Sequence, residues 1–190
     1  MATAQAHYDA GEAFYEQGKW DEALAAYRAA VKKDPEMSAA WAGIGASEIA
    51  KNGGQYCEAA HDPLKRCVEP NPNHADAHCR LGGVLLYVRK DDVRAEEHFR
   101  AATRLDPKDV APAHRGLADI LHKRGDLDGA IRAMLDCVEA GGDSNDRARL
   151  DMLVAQELTA KRAAKPNPEA KARFALPVAR APRSRAPSCD

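Results

Sequence analysis

The sequence predicts an all-α solenoid, a stack of four helix-turn-helix repeats followed by a C-terminal capping helix. Apolar and small residues recur at helical spacing in two blocks within residues 4–35, and a Gln-Gly-Lys turn separates the blocks. The same pattern returns three more times with a period of about 34 residues. One hairpin has too little apolar surface to be stable alone, so the copies are expected to stack on one another.

The repeats are predicted at about 4–37, 38–74, 75–110 and 111–144, after a short lead at 1–3. The anchor residues of the first and fourth repeats align without a gap. They are Ala10, Gly11, Phe14, Gly18, Ala23, Tyr27, Ala30 and Pro35 in the first, and His114, Leu117, Ala118, Leu121, Gly125, Ala130, Met134 and Cys137 in the fourth. The second repeat opens with Trp41, Ile44 and Gly45, and the third contains Leu81, Gly82, Ala95, Phe99, Ala102 and Pro107.

This spacing resembles that of the tetratricopeptide repeat, and the resemblance extends over residues 4–144. It implies a right-handed superhelical solenoid in which the first helix of each hairpin lines a concave groove. Small residues in the first helices are expected to let the two helices of each hairpin approach closely. They are Gly11, Gly45, Gly82 and Ala118. Gly18 and Gly125 are predicted to adopt a positive φ in the hairpin turns.

Two repeats depart from the pattern. The second has extra residues near 51–56, and Pro63 lies inside its expected second helix. Because proline lacks a backbone N–H, this predicts a longer turn and a shorter, distorted second helix. The third repeat has one extra residue near 89–93. Both insertions are expected to bulge from the hairpin tips without breaking the stack.

The C-terminal part is predicted to contain a capping helix at 145–163 and a disordered tail at 164–190. Apolar residues recur at helical spacing in the first segment, whereas Pro, Ala and Arg alternate without such spacing in the second. Residues 165–190 hold six basic and two acidic side chains, so they carry +4 and the rest of the chain carries −5. The chain as a whole has a net charge of −1.

The sequence favours a protein without catalytic activity. It has no Gly-rich phosphate loop, nucleophile elbow, HExxH motif or paired CxxC, and a regular stack leaves little sequence for an active site. No cofactor is expected. Neither a basic apolar signal segment nor a long apolar span occurs, which predicts a soluble, cytoplasmic protein without membrane contact. Five cysteines without regular pairing agree with a reducing compartment.

The resemblance places the candidate partner-binding residues on the groove side of the first helices. They are Tyr8, Glu12, Tyr15, Ile49, Arg80, Arg115, Asp119, His122 and Lys123. The groove is therefore expected to run from acidic through small and apolar to basic, which suits a protein or peptide partner of mixed charge. The predicted function is a non-catalytic adaptor or scaffold that binds a peptide segment of a partner in this groove.

Two alternatives stay open. Some members of the resembled family hold the acidic C-terminal tails of heat-shock chaperones with a clamp of Lys, Asn, Asn, Lys and Arg. The clamp positions of this chain carry Tyr8, Glu12, Gly43, Asp76 and Arg80, of which Arg80 alone matches. A co-chaperone would bind a chaperone through this groove. The other alternative is a regulatory or targeting module of an enzyme complex, in which the partner belongs to a multiprotein assembly.

Two further features have a weaker link to function. Cys57, His61, Cys67 and His78 are metal-capable side chains near the irregular second repeat, but their spacing matches none of the usual structural zinc patterns. No metal is expected. The tail carries too sparse a positive charge to predict nucleic-acid binding. Its charge is opposite to that of the groove in the first repeat, so one interpretation is that the tail folds back and blocks the groove.

Overall fold

The computed structural model describes residues 2–106 and 110–164, and every regular element within them is helical. The helices are α1 (Ala4–Glu16), α2 (Trp20–Lys33), α3 (Ser38–Lys51), α4 (His61–Val68), α5 (Ala75–Gly83), α6 (Asp92–Leu105), α7 (Ala111–Lys123), α8 (Leu127–Glu139) and α9 (Ser144–Ala164). Helices α1 to α8 pair into four hairpins that pack in chain order, and α9 packs on α8. The prediction of an all-α solenoid is confirmed.

Three predicted features lie partly or wholly outside the described residues. Met1 belongs to the predicted lead, Pro107 was expected to follow the second helix of the third repeat, and the predicted tail lies outside from residue 165 onward. Within the part of the chain that the structure describes, no helix has both the length and the apolarity needed to cross a bilayer.

The hairpin ends follow from short polar side chains and glycine. Thr3 accepts a hydrogen bond from the amide of Ala6 and so caps the start of α1. Asp126 caps α8 in the same way through the amide of Gly129. Gly18 has a φ of 71°, a left-handed conformation that costs glycine little. Gly125 has the same role with a φ of 82°, so the prediction for both turns is confirmed.

An aromatic ring wedged between two glycines joins the first hairpin to the second. The ring of Tyr27 on α2 lies against Gly11 on α1 and against Gly43 on α3. A Cβ atom at Gly11 would lie 2.5 Å from the ring, and one at Gly43 would lie 2.6 Å from it. Neither position therefore has room for a side chain, and the bare backbone lets three helices meet at one ring.

The same arrangement joins the third hairpin to the fourth. Phe99 on α6 is fully buried and lies between Gly82 on α5 and Gly116 on α7. Cβ atoms at these glycines would approach the ring to 2.8 Å and 2.3 Å. The second hairpin uses a smaller wedge, Leu64, which packs against Gly45. The expected close approach at Gly11, Gly45 and Gly82 is therefore observed.

The second hairpin has the predicted long turn and short second helix. Residues 52–57 form the turn, in which Gly53 and Gly54 have φ values of 68° and 81°. A 3₁₀ turn, Glu58–Ala60, then leads into α4, which has only eight residues. Pro63 lies in the first turn of α4, where its missing N–H costs no helical hydrogen bond.

The third hairpin absorbs its extra residue in a way that the sequence did not predict. The chain continues from α5 as a π-helical segment, Val84–Arg89, and ends at Lys90 with a φ of 59°. A π-helix holds more residues per turn than an α-helix, so the insertion lies inside the helix. The expectation of a bulge at the hairpin tip is wrong for this repeat.

Replacing Gly116 with alanine should destabilise the protein by about 1–3 kcal/mol, because Phe99 is held on both sides and cannot move away from the new methyl group. Chemical denaturation monitored by circular dichroism measures this loss. The double variant Gly116→Ala with Phe99→Leu should recover part of it. A stability gain of about 1 kcal/mol in the single variant, as helix propensity alone predicts, would contradict the wedge.

Candidate functional site

Residues of α1, α3 and α5, together with Tyr27 of α2 and His74, line an open pocket of about 240 Å³ on the groove side of the first three hairpins. It is lined by Tyr8, Glu12, Tyr15, Tyr27, Ala39, Ala42, Gly43, Ala46, His74, Asp76 and Arg80. Four of the predicted partner-binding residues, from α1 and α5, therefore lie around one cavity. We call it the Glu12 pocket.

The carboxylate of Glu12 lies among tyrosines. The hydroxyl of Tyr27 donates a hydrogen bond to Glu12 Oε1, and the ring of Tyr8 lies 5.8 Å from the ring of Tyr27. Burial and the adjacent Glu12 carboxylate both raise the pKa of Tyr27. The same two causes raise the pKa of Tyr8. Both phenols therefore stay protonated and present hydroxyl donors to one negative charge.

Arg80 forms an ion pair with a carboxylate of its own helix. Its Nε lies 2.7 Å from Asp76 Oδ2, one helical turn earlier. Burial disfavours the guanidinium charge, but the charge and hydrogen bond of Asp76 outweigh this effect and raise the pKa of Arg80. The pair adds no net charge to the Glu12 pocket.

A second pocket of about 400 Å³ lies farther along the stack, and two tyrosines that the sequence analysis did not single out form its wall. Tyr56 and Tyr87 stack with ring centroids 5.6 Å apart and an interplanar angle of 11°. Burial raises the pKa of Tyr56 to about 12. Both tyrosines come from the irregular parts of the second and third hairpins, where repeat periodicity gives no positional signal.

The fourth-repeat candidates contact neighbouring helices. Arg115 makes two hydrogen bonds to Asp146 at the start of α9, with Nε–Oδ1 at 2.5 Å and Nη2–Oδ2 at 2.6 Å. Asp146 is only 2% exposed, and it also accepts a hydrogen bond from the backbone amide of Asp143. Arg115 thus fastens α9 to α7.

The other three fourth-repeat candidates also contact side chains of other helices. They are Asp119, His122 and Lys123. Asp119 accepts hydrogen bonds from Tyr87, at 2.6 Å, and from Arg149 of α9. Nε2 of His122 lies 3.1 Å from Oε1 of Gln156, and Lys123 pairs with Asp92. The expected basic end of the groove is therefore largely neutralised, because its cations meet carboxylates on the adjacent helices.

Ile49 does not belong to the site. It is only 5% exposed and belongs to the core of the second and third hairpins. The long turn of the second hairpin folds back over the end of α3, where Cys57 Sγ lies 3.6 Å from the carbonyl oxygen of Glu48. Tyr56 and Cys57 pack against the same core and cover this face. The placement of Ile49 in the groove was wrong.

The metal-capable residues do not converge. In residues 2–106 and 110–164, no group of three or more His, Cys, Asp or Glu side chains has the arrangement that a metal ion needs. Burial raises the pKa of Cys67 to about 11, which keeps it a thiol and a poor ligand. His61 Nδ1 lies 2.7 Å from the Asp62 carboxylate, and Cys57 contacts the α3 backbone.

The fourth of these residues, His78, forms a histidine pair. His78 Nε2 lies 3.1 Å from the carbonyl oxygen of Pro72, so Nε2 carries the proton. Its Nδ1 then accepts a hydrogen bond from Nδ1 of His98, at 2.8 Å. Burial, followed by the adjacent His78, lowers the pKa of His98 to about 4. The pair is neutral near pH 7.

A sequence profile of the tetratricopeptide repeat matches residues 8–75 and 94–145, together more than half of the chain. The chain belongs to the tetratricopeptide repeat family. The stretch between the two matches, 76–93, contains most of α5 and the π-helical segment, so the match is interrupted where the helix departs from the repeat geometry. No protein of curated function is similar enough in sequence to match this chain.

Solved structures share the tetratricopeptide repeat fold. The crystal structure of MamA has a TM-score of 0.62 at 20% identity, over 77% of this chain and 81% of MamA. The MamA RS-1 ArsTM double mutant has a TM-score of 0.67 at 22% identity, over 85% of this chain and 88% of the mutant chain. The first TPR of Spaghetti (RPAP3), bound to the HSP90 peptide SRMEEVD, has a TM-score of 0.57 at 20% identity. The match covers 65% of this chain and 94% of the RPAP3 chain.

Replacing Arg115 with methionine should cost about 2 kcal/mol or more at neutral pH, because the buried carboxylate of Asp146 loses its partner. Arg115 holds the pKa of Asp146 below its ordinary value, so the pair stabilises the protein at neutral pH and its contribution is lost as pH falls below about 4. Urea denaturation at several pH values should show the gap to wild type closing in acid. The matched control Arg132→Met removes an exposed arginine of α8, and an equal effect in both variants would contradict the assignment.

The histidine pair predicts a second pH effect. An unfolded histidine binds a proton near pH 6.5, whereas native His98 does so only near its lowered pKa of about 4. The unfolded chain therefore binds more protons in this interval, and stability should fall as pH decreases from about 6.5 to about 4. In His98→Gln this fall should be smaller, while the control His7→Gln should retain it. An unchanged pH dependence in His98→Gln would exclude the pair as its source.

Proposed function

We propose that this chain is a non-catalytic interaction adaptor that binds a peptide segment of a partner protein in the concave groove. The Glu12 pocket carries this proposal. It lies between the first helices of successive hairpins, and its floor on α3 includes the small residues Ala39 and Ala46. A floor of this kind leaves room for a bound segment, and tyrosine walls supply large contact surfaces at low entropic cost.

The reactive groups favour a role without catalysis. Burial raises the pKa of Cys67 and Cys137 to about 11 and that of Cys79 to about 12, so these thiols are not activated nucleophiles. Glu12 accepts a hydrogen bond from Tyr27, and arginines pair with Asp76, Asp119 and Asp146. A regulatory or targeting module of an enzyme complex would use the same groove for its docking partner.

The Glu12 pocket does not favour an acidic chaperone tail as ligand. The first TPR of Spaghetti (RPAP3) was solved with the peptide SRMEEVD, which has an acidic C-terminal half. At the corresponding positions this chain carries Glu12 and Asp76, and the matching Arg80 is already paired with Asp76. A ligand carboxylate would meet the negative charge of Glu12 and an Arg80–Asp76 pair that has no net charge.

Site-specific photo-crosslinking tests the proposal. A photoreactive residue in place of Ala46, on the groove floor, should crosslink to a partner in lysate, and the same residue in place of exposed Val93 on α6 should not. Tyr8→Ala should abolish the crosslink at position 46 with unchanged circular dichroism. Equal crosslinking from both positions, or a crosslink that survives Tyr8→Ala, would place binding elsewhere.

A further inference from the structure

Most charges along the groove are compensated by a neighbour. Within the described part of the chain, Arg80 pairs with Asp76, Arg115 with Asp146, Arg149 with Asp119, and Lys123 with Asp92. Each pair contains one cation and one anion, so these eight side chains contribute no net charge. The groove therefore offers a partner little charge at its far end.

Glu12 is the exception in the Glu12 pocket. Its carboxylate accepts a hydrogen bond from the neutral hydroxyl of Tyr27, and no cation among the described residues pairs with it. Asp9 lies nearby on α1 and accepts a hydrogen bond from the amide of Gln5, which leaves its charge in place as well. The near end of the groove is thus negative and open to a ligand.

The surroundings of Glu12 suit one kind of charged group. The rings of Tyr8 and Tyr15 line the same pocket, and aromatic faces attract cations. A carboxylate has about four acceptor sites on its two oxygens. The Tyr27 hydroxyl donates to Oε1, and a hydrogen bond with Tyr8 uses one further site. A lysine or arginine head group would make charge-assisted hydrogen bonds with the remaining sites, while its methylene stem lies on the rings.

We propose that the Glu12 pocket takes a lysine or arginine side chain from the peptide segment of a partner protein. This inference rests on the proposed function, and it assigns the chemistry of one ligand side chain. The small residues Ala39 and Ala46 line the same pocket and leave room for the stem of that side chain. An acidic ligand side chain is repelled here by Glu12, and it could pair with Arg80 only by displacing Asp76.

The test uses the full chain and pools of short fluorescent peptides of random sequence, each with one fixed central residue. The fixed residue is Arg, Lys, citrulline, Glu or Leu, and fluorescence anisotropy measures the affinity of each pool. Citrulline has the shape of arginine without its charge. The Arg and Lys pools should bind about tenfold more tightly than the citrulline pool, which is the effect of one charge-assisted hydrogen bond.

Three variants locate the effect. Glu12→Gln should remove the preference for Arg and Lys, because the amide keeps the shape of the carboxylate but has no charge. Glu97→Gln, at an exposed carboxylate of α6, should keep the preference. Ala46→Trp fills the floor of the Glu12 pocket and should weaken the binding of every pool.

The outcomes separate this inference from the proposed function. Suppose that Ala46→Trp blocks binding, so that the groove is the site. The inference is then overturned if the pools bind without a preference for Arg and Lys, or if that preference persists in Glu12→Gln. Binding of no pool, or binding insensitive to Ala46→Trp, contradicts both. If changing the basic residues of 165–190 to glutamine strengthens binding of the Arg pool, the chain's own C-terminal segment occupies the Glu12 pocket, and a partner segment is overturned as the occupant.

Discussion

The contact on which the rest of the structure depends is the wedge of one side chain between two first helices. Tyr27 lies between Gly11 and Gly43, and Phe99 lies between Gly82 and Gly116. Each ring fixes the distance between the helices of its own hairpin and the distance to the next hairpin. Because the glycines have no side chains, the first helices lie close together and form a continuous inner surface. The groove is therefore a consequence of core packing.

The same close spacing determines which groove charges remain available. Side chains on neighbouring first helices reach one another, and Arg115 with Asp146 and Asp119 with Arg149 are examples from α7 and α9. These pairs attach the last helix, which lacks a second helix of its own among the described residues. At the other end of the stack, α1 has no preceding hairpin within the described residues and Glu12 meets only tyrosine hydroxyls there. The α3 residues that line the same pocket are uncharged, so the negative charge of Glu12 stays uncompensated.

Periodicity was sufficient to predict the hairpins, because a wedge residue and its small neighbours recur at fixed spacing. Pro63 predicted the short α4, because the effect of a proline on a helix is local. Periodicity did not predict the π-helical segment, because one extra residue fits either a turn or a helix and spacing along the chain does not distinguish the two. The resemblance predicted that one face of the stack carries Tyr8, Glu12, Tyr15 and Arg80. It did not predict the hydrogen bonds and ion pairs that these side chains make. Spacing gives the face on which a charge lies, whereas pairing between residues about 30 positions apart depends on how neighbouring helices pack.

The measurement that tests the account most directly is a nuclear magnetic resonance titration of the isotope-labelled full chain with an arginine-containing peptide that binds it. The account predicts that the shifted amides cluster in α1, α3 and α5, around Glu12 and Gly43, and that the same titration with the citrulline analogue gives weaker binding at the same amides. Shifts confined to α4, α6 and α8 would contradict the account, because the second helices would then carry the binding surface and the negative end of the groove would have no role in it.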